Sequence, residues 1–233
     1  APTPPRTHRW GLGAYLVAEA VFLLASAAIL FLLIAGAPPT VPELAVSVGV
    51  PTVLAGAVAL LFTWVRGNGP RIDLGLVWSW RDVGLGIAFG VGGVVLSSSA
   101  TVVYLSIFGP EVTSAVADVF AGARAGPVLA VTVMVLVVFV APLCEEILYR
   151  GVLWGAIERL GGRWWAFFGS TLVFALAHFE YPRVFLLPVI AFPIALARLV
   201  TGRLLASIVA HQVNNLLSGI VLMLALLGYV PLA

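Results

Sequence analysis

Residues 142–150, Pro-Leu-Cys-Glu-Glu-Ile-Leu-Tyr-Arg, place two carboxylates and a guanidinium between the apolar run 128–141 and the apolar stretch that follows Arg150. A charge at the centre of a membrane helix costs about 2.5–3.5 kcal/mol on insertion scales. Such groups must therefore be paired or must line a wet cavity, which makes the stretch a functional-site candidate. Glu146 and Arg150 are four apart with the acid first, the order that favours pairing on one helix face. At 3.6 residues per turn Glu145 points about 100° away, which leaves it as the carboxylate free for chemistry as a general base.

Few other polar side chains fall deep in the apolar stretches. His178 ends Phe-Ala-Leu-Ala-His, and His211 and Asn215 bound His-Gln-Val-Asn-Asn. Measured along a helix from the nearest arginine-bearing turn, Glu145 lies ~21 Å from Arg159 and His178 ~22 Å from Arg163. His211 and Asn215 lie ~12 Å and ~18 Å from Arg203 on the same scale. Three helices thus bring polar groups to overlapping depths. His211 and Asn215 share a face and could donate two hydrogen bonds to one developing oxyanion. Phe174, one turn before His178, could wall the imidazole.

A carboxylate, an opposing histidine and a His/Asn donor pair describe water-mediated amide hydrolysis. Glu145 and His178 would activate water, and His211 with Asn215 would hold the tetrahedral intermediate. Zinc chemistry is the rival, with Glu145, His178 and His211 as ligands and water in the fourth position. The chain lacks a His-Glu-x-x-His helix, so no metal is favoured. Cys144 is a poor nucleophile, because apolar burial disfavours its thiolate.

Seven candidate spans would position these groups: 13–35, 44–65, 83–108, 128–156, 164–180, 184–200 and 204–228. The composition agrees, with 62% hydrophobic and 9% charged residues in 233. The expected fold is all-α, a polytopic transmembrane bundle of about seven spans. It forms one integrated membrane domain, with N-terminal helices in 1–127 and a catalytic helical core in 128–233. All 12 basic residues are arginine, and no basic run or nucleic-acid motif occurs. The single cysteine excludes an intrachain disulfide.

The arginines divide between the two ends. Arg6, Arg9, Arg66, Arg71, Arg81, Arg159, Arg163, Arg198 and Arg203 fall in alternate connecting segments, against Arg124 and Arg183 in the others. That bias predicts a cytoplasmic N-terminus, and the all-arginine, compact composition suggests an integral protein of a bacterial cytoplasmic membrane. The polar APTPPRTHRW reads as a short leader before a full-length span rather than a cleavable signal. Gly86 and Gly90 have the spacing of close helix packing. Trp78 and Trp80 beside Arg71 and Arg81 suit an interfacial segment, and 109–127 suits a short amphipathic helix on the other face. Glu19, near the start of the first span, reads as interfacial.

The three polar groups together resemble a family. Glu145-Glu146-Ile-Leu-Tyr-Arg150, Phe174-Ala-Leu-Ala-His178 and His211-Gln-Val-Asn-Asn215 match, in order, the EExxxR, FxxxH and HxxxN motifs of the CPBP intramembrane proteases. This is the group of the CAAX prenyl protease 2 (Ras-converting enzyme) and the bacterial Abi proteins. The resemblance covers roughly 128–220. It implies that Glu145 and His178 are the water-activating pair and that His211 and Asn215 form the oxyanion site. Glu146 and Arg150 would be motif residues shaping that site. The family has been described both as metalloproteases and as glutamate-type proteases, so zinc stays open. The implied activity is cleavage of a membrane-associated peptide or protein. Two rival classes share the cavity: a non-catalytic adaptor or bacteriocin-immunity protein, and a small transporter or proton relay.

Overall fold

The computed structural model describes residues 8–34, 36–109 and 114–231. Arg6 and part of the expected 109–127 helix lie outside these. Among the described residues the chain is all-helical, without strands. Helices α1 (Leu12–Ile34), α2 (Val41–Val65), α4 (Trp80–Phe108), α6 (Pro127–Gly161) and α9 (Leu204–Leu226) are long and apolar enough to cross a membrane. Between them lie the short α3 (Pro70–Asp73) and α5 (Ala115–Val119). Helices α7 (Arg163–Ala177) and α8 (Leu186–Thr201) have only 15 and 16 residues. At 1.5 Å per residue each reaches about 24 Å at most, short of a ~30 Å hydrocarbon core. The chain is an integral membrane protein with five helices of spanning length, and the fifth and sixth expected spans are the two shorter helices.

Glycine and a strained residue set those shorter lengths. Gly162, with φ +83°, separates α6 from α7, and Gly202, with φ +65°, closes α8. Both take a backbone conformation that side-chain-bearing residues avoid. At its far end α7 stops at His178, and Phe179 follows at φ +53°. An aromatic residue there costs roughly 1–2 kcal/mol relative to glycine, a strain typical of functional sites. A three-residue turn, Tyr181–Arg183, then leads into α8.

Helix α6 is the axis of the molecule. Ile147, Leu148, Tyr149, Val152 and Leu153 pack with Tyr15 and Ala18 of α1, Ala55 and Ala59 of α2, Phe174 of α7, Ala191 of α8 and Ile208 of α9. Small residues predominate on the neighbours, as expected where helices associate by close packing rather than by escape from water. A Cβ on Gly56 of α2 would lie 2.9 Å from the Cβ of Cys144, so the cysteine is a packing residue on α2. Helix α4 packs on α8 and α9. A Cβ on Gly86 would meet Val209 at 2.6 Å, and one on Gly90 would meet Val213 at 2.6 Å. The small-residue spacing is thus the seam that seats α9.

Polar ties gather at the arginine-rich end. Arg203 pairs with Asp82 at 2.7 Å, linking the starts of α9 and α4. Asp73 accepts from Trp10 Nε1 at 2.7 Å and from the Asn68 backbone at 3.0 Å. Trp78 and Trp80 are exposed, as expected of an interfacial segment.

Candidate active site

The motif helix is not α-helical throughout. Leu136–Val140 and Glu146–Leu153 are π-helical, with hydrogen bonds running five residues back. Pro142 explains the first of these. It has no N–H and would crowd the carbonyl four residues before it, so the turn upstream widens. Val137 lies five residues before Pro142, so its carbonyl has no intrahelical donor at the π spacing either. Asn215 of α9 reaches that carbonyl with Nδ2 at 3.4 Å, and Gln212 reaches the carbonyl of Phe139 at 3.4 Å. Polar side chains of α9 thus answer the loosened backbone of α6, as membrane interiors require.

The second π segment begins at Glu146 and carries the ion pair. Glu146 and Arg150 are both fully buried, with Arg150 Nη1 3.1 Å from Glu146 Oε1. The same oxygen lies 3.0 Å from Nδ1 of His211. The opposite ring nitrogen, Nε2, lies 3.7 Å from Oε2 of Glu145, whose side chain is 24% exposed. His211 therefore stands between the two adjacent carboxylates. With Glu146 ionised against Arg150, the Nδ1–H of His211 donates to it, which fixes the ring.

Phe174 joins the remaining parts. It is buried, and the Arg150 guanidinium lies 4.2 Å from its ring centroid. His178 lies tilted against it with ring centroids 4.4 Å apart, and His211 meets it edge-on at 5.8 Å. His178 Nδ1 lies 2.7 Å from the carbonyl of Phe174, four residues back. Donation to that carbonyl places the ring proton on Nδ1 and leaves the Nε2 lone pair available. The structure thus gathers Glu145, Glu146, Arg150 and His211 by direct contact, and brings Phe174 and His178 to them through one ring. Asn215 sits one turn beyond His211 on α9.

The rival zinc set can be compared with the same geometry. Among the described residues, no three His, Cys, Asp or Glu side chains come together closely enough to hold a metal ion. Glu145 and His211 approach each other, but His178 does not complete the group.

Two residues read differently from sequence. Glu19 is not merely interfacial: Tyr149 Oη of the motif helix donates to its Oε2 at 3.2 Å. It also lies within electrostatic reach of His178. Arg198, counted among the arginines of a connecting turn, is buried in the last turn of α8. Its Nε donates to the carbonyl of Arg150 at 3.0 Å, in the second π segment. Neither contact has a sequence signal beyond a charge near an apolar run.

Residues 127–217 match the family described as Rce1-like, type II CAAX prenyl endopeptidase. Among curated proteins, the chain is 28% identical over 153 residues to one of Bacillus subtilis (strain 168) named "Putative membrane peptidase YdiL". That alignment covers 64% of this chain and 57% of the relative, so the chain spans little more than half of the relative's length. No solved structure gives a significant match. The matched segment runs from the first residue of α6 to beyond Asn215 and contains all three motifs, so over that stretch the chain is similar to the Rce1-like membrane endopeptidases.

Proposed function

We propose that the chain is an intramembrane endopeptidase that hydrolyses a peptide bond of a membrane-associated peptide or protein with a glutamate-activated water. Glu145, the partly accessible carboxylate, takes a proton from water as the oxygen attacks the scissile carbonyl. The carbonyl oxygen becomes an oxyanion, which accepts hydrogen bonds from Nε2–H of a doubly protonated His211 and from Asn215 Nδ2. Collapse of the intermediate breaks the C–N bond. The leaving nitrogen takes the proton that water gave up, with the Nε2 of His178 as the relay on the opposite side. Glu146 and Arg150 do not react; they hold the imidazole of His211 in one orientation, the role a buried acid commonly plays beside a working histidine.

The observation that carries this reading is the placement of His211, with Nδ1 3.0 Å from the buried Glu146 and Nε2 facing the accessible Glu145 at 3.7 Å. A free packing histidine has no need of two carboxylates. The similarity of residues 127–217 to the Rce1-like endopeptidases supports the reaction class, and the ring of Phe174 supplies the link to His178.

The reading is tested on cells carrying either the wild-type chain or Glu145→Gln, by profiling their membrane peptides. Wild-type cells should show peptides cut at a common position that Glu145→Gln cells retain whole. Identical profiles, with both proteins present in the membrane, would refute it.

A further inference from the structure

The arginine-rich end holds a cavity that the catalytic reading does not use. It has a volume of about 390 Å³ and is lined by Arg159, Arg163 and Arg198, with Glu158, His8 and Trp154 among the other walls. Three guanidiniums against one carboxylate give it an excess of positive charge. Arg198 is 2% exposed, so part of that charge is fixed in the wall rather than swinging in solvent. Arg159 is likewise held, donating to the backbone carbonyls of His8 and Trp10. Arg163 is exposed at the mouth, with its guanidinium 5.5 Å from the ring of Trp164.

The height of this cavity in the bilayer can be read from the tryptophans. All seven lie next to the arginine-bearing turns at this end. Trp64, Trp78, Trp80, Trp164 and Trp165 are exposed at 70%, 65%, 76%, 56% and 70%. Exposed indoles in a band mark the level of lipid headgroups. A basic pocket between helices at that level has the charge and position to take a headgroup phosphate.

We propose that this cavity is a binding site for a phosphate group carried by an anionic phospholipid of the leaflet at the arginine-rich end. The guanidiniums match phosphate by paired hydrogen bonds. Zwitterionic lipids bring a compensating cation and fit less well. The same Arg198 that walls the cavity holds the Arg150 carbonyl, so an occupant here borders the motif helix. The proposal stands apart from the hydrolytic reading, and its test requires no catalysis.

Delipidated full-length chain is offered phosphatidylglycerol and phosphatidylcholine together, and the bound lipids are counted by native mass spectrometry. Wild type should retain phosphatidylglycerol in preference, and inorganic phosphate at matched ionic strength should displace it. Arg163→Gln should lower the preference about tenfold, the worth of a charge-assisted hydrogen bond. Arg81→Gln removes an equal charge from the same end outside the cavity and should lower it distinctly less. Equal losses in the two variants would reduce the effect to general surface attraction and overturn the proposal. So would a wild type without preference, even if the variants fail to fold. Binding of inorganic phosphate with no preference between the lipids would overturn the lipid assignment.

Discussion

His211 Nδ1 and Glu146 Oε1 lie 3.0 Å apart in a fully enclosed contact, and the same oxygen carries the ion pair to Arg150 at 3.1 Å. The carboxylate thus serves a base on its own helix and an imidazole on α9 at once. Removing it should expose both services. Glu146→Gln leaves a buried guanidinium without its counter-charge and should destabilise the protein by about 3–5 kcal/mol. Replacing both partners, in Glu146→Gln with Arg150→Met, should recover much of that stability. It should not recover cleavage, because His211 stays unoriented. Unfolding in mixed micelles alongside peptide turnover separates the two. A double variant that regains both would reduce Glu146 to a structural partner.

Glu19 extends the site to α1. Tyr149→Phe removes the hydrogen bond between the motif helix and that carboxylate, with an expected loss of about 1–3 kcal/mol. Adding Glu19→Gln to Tyr149→Phe should cost less than Glu19→Gln alone, since the two groups share one contact. A thermal-melting double-mutant cycle measures the difference. Fully additive losses would mean that the contact contributes nothing.

The seam between α4 and α9 offers a probe that touches no polar group. Gly90→Ala places a methyl group 2.6 Å from Val213 Cβ, two residues from His211 and from Asn215. The helices must part or shift, at about 1–3 kcal/mol for overpacking. Turnover should fall with stability. Gly92→Ala, on the same helix with nothing within 4 Å, should leave both unchanged. Equal effects at the two glycines, read by melting and turnover, would count against the seam.

Much of this architecture is legible from side-chain type alone. Polar groups inside apolar runs mark α6, α7 and α9 because hydrocarbon makes them expensive, and the same cost favours their meeting. The pairing of Glu146 with Arg150 follows from a spacing of four. Other features escape such reading. The partner of Glu19 lies on a helix more than a hundred residues away, and nothing local distinguishes a carboxylate that meets Tyr149 from one that meets headgroups. Arg198 reads as a turn residue because it lies two residues from the end of an apolar stretch, whereas α8 closes only at Thr201 and turns it inward. An ideal α-helix would turn Glu145 and Glu146 about 100° apart. The junction of α and π turns at that point, with a ring whose two nitrogens face opposite ways, lets one imidazole meet both.

The most direct test is turnover of a quenched-fluorescent membrane peptide bearing the position at which wild-type cells cut, by purified, reconstituted wild type and Glu145→Gln, with matched melting curves. The proposed reaction predicts that Glu145→Gln folds as the wild type does and loses at least about a hundredfold in rate, the low end of a positioned general base. Wild-type turnover by a folded Glu145→Gln would contradict it.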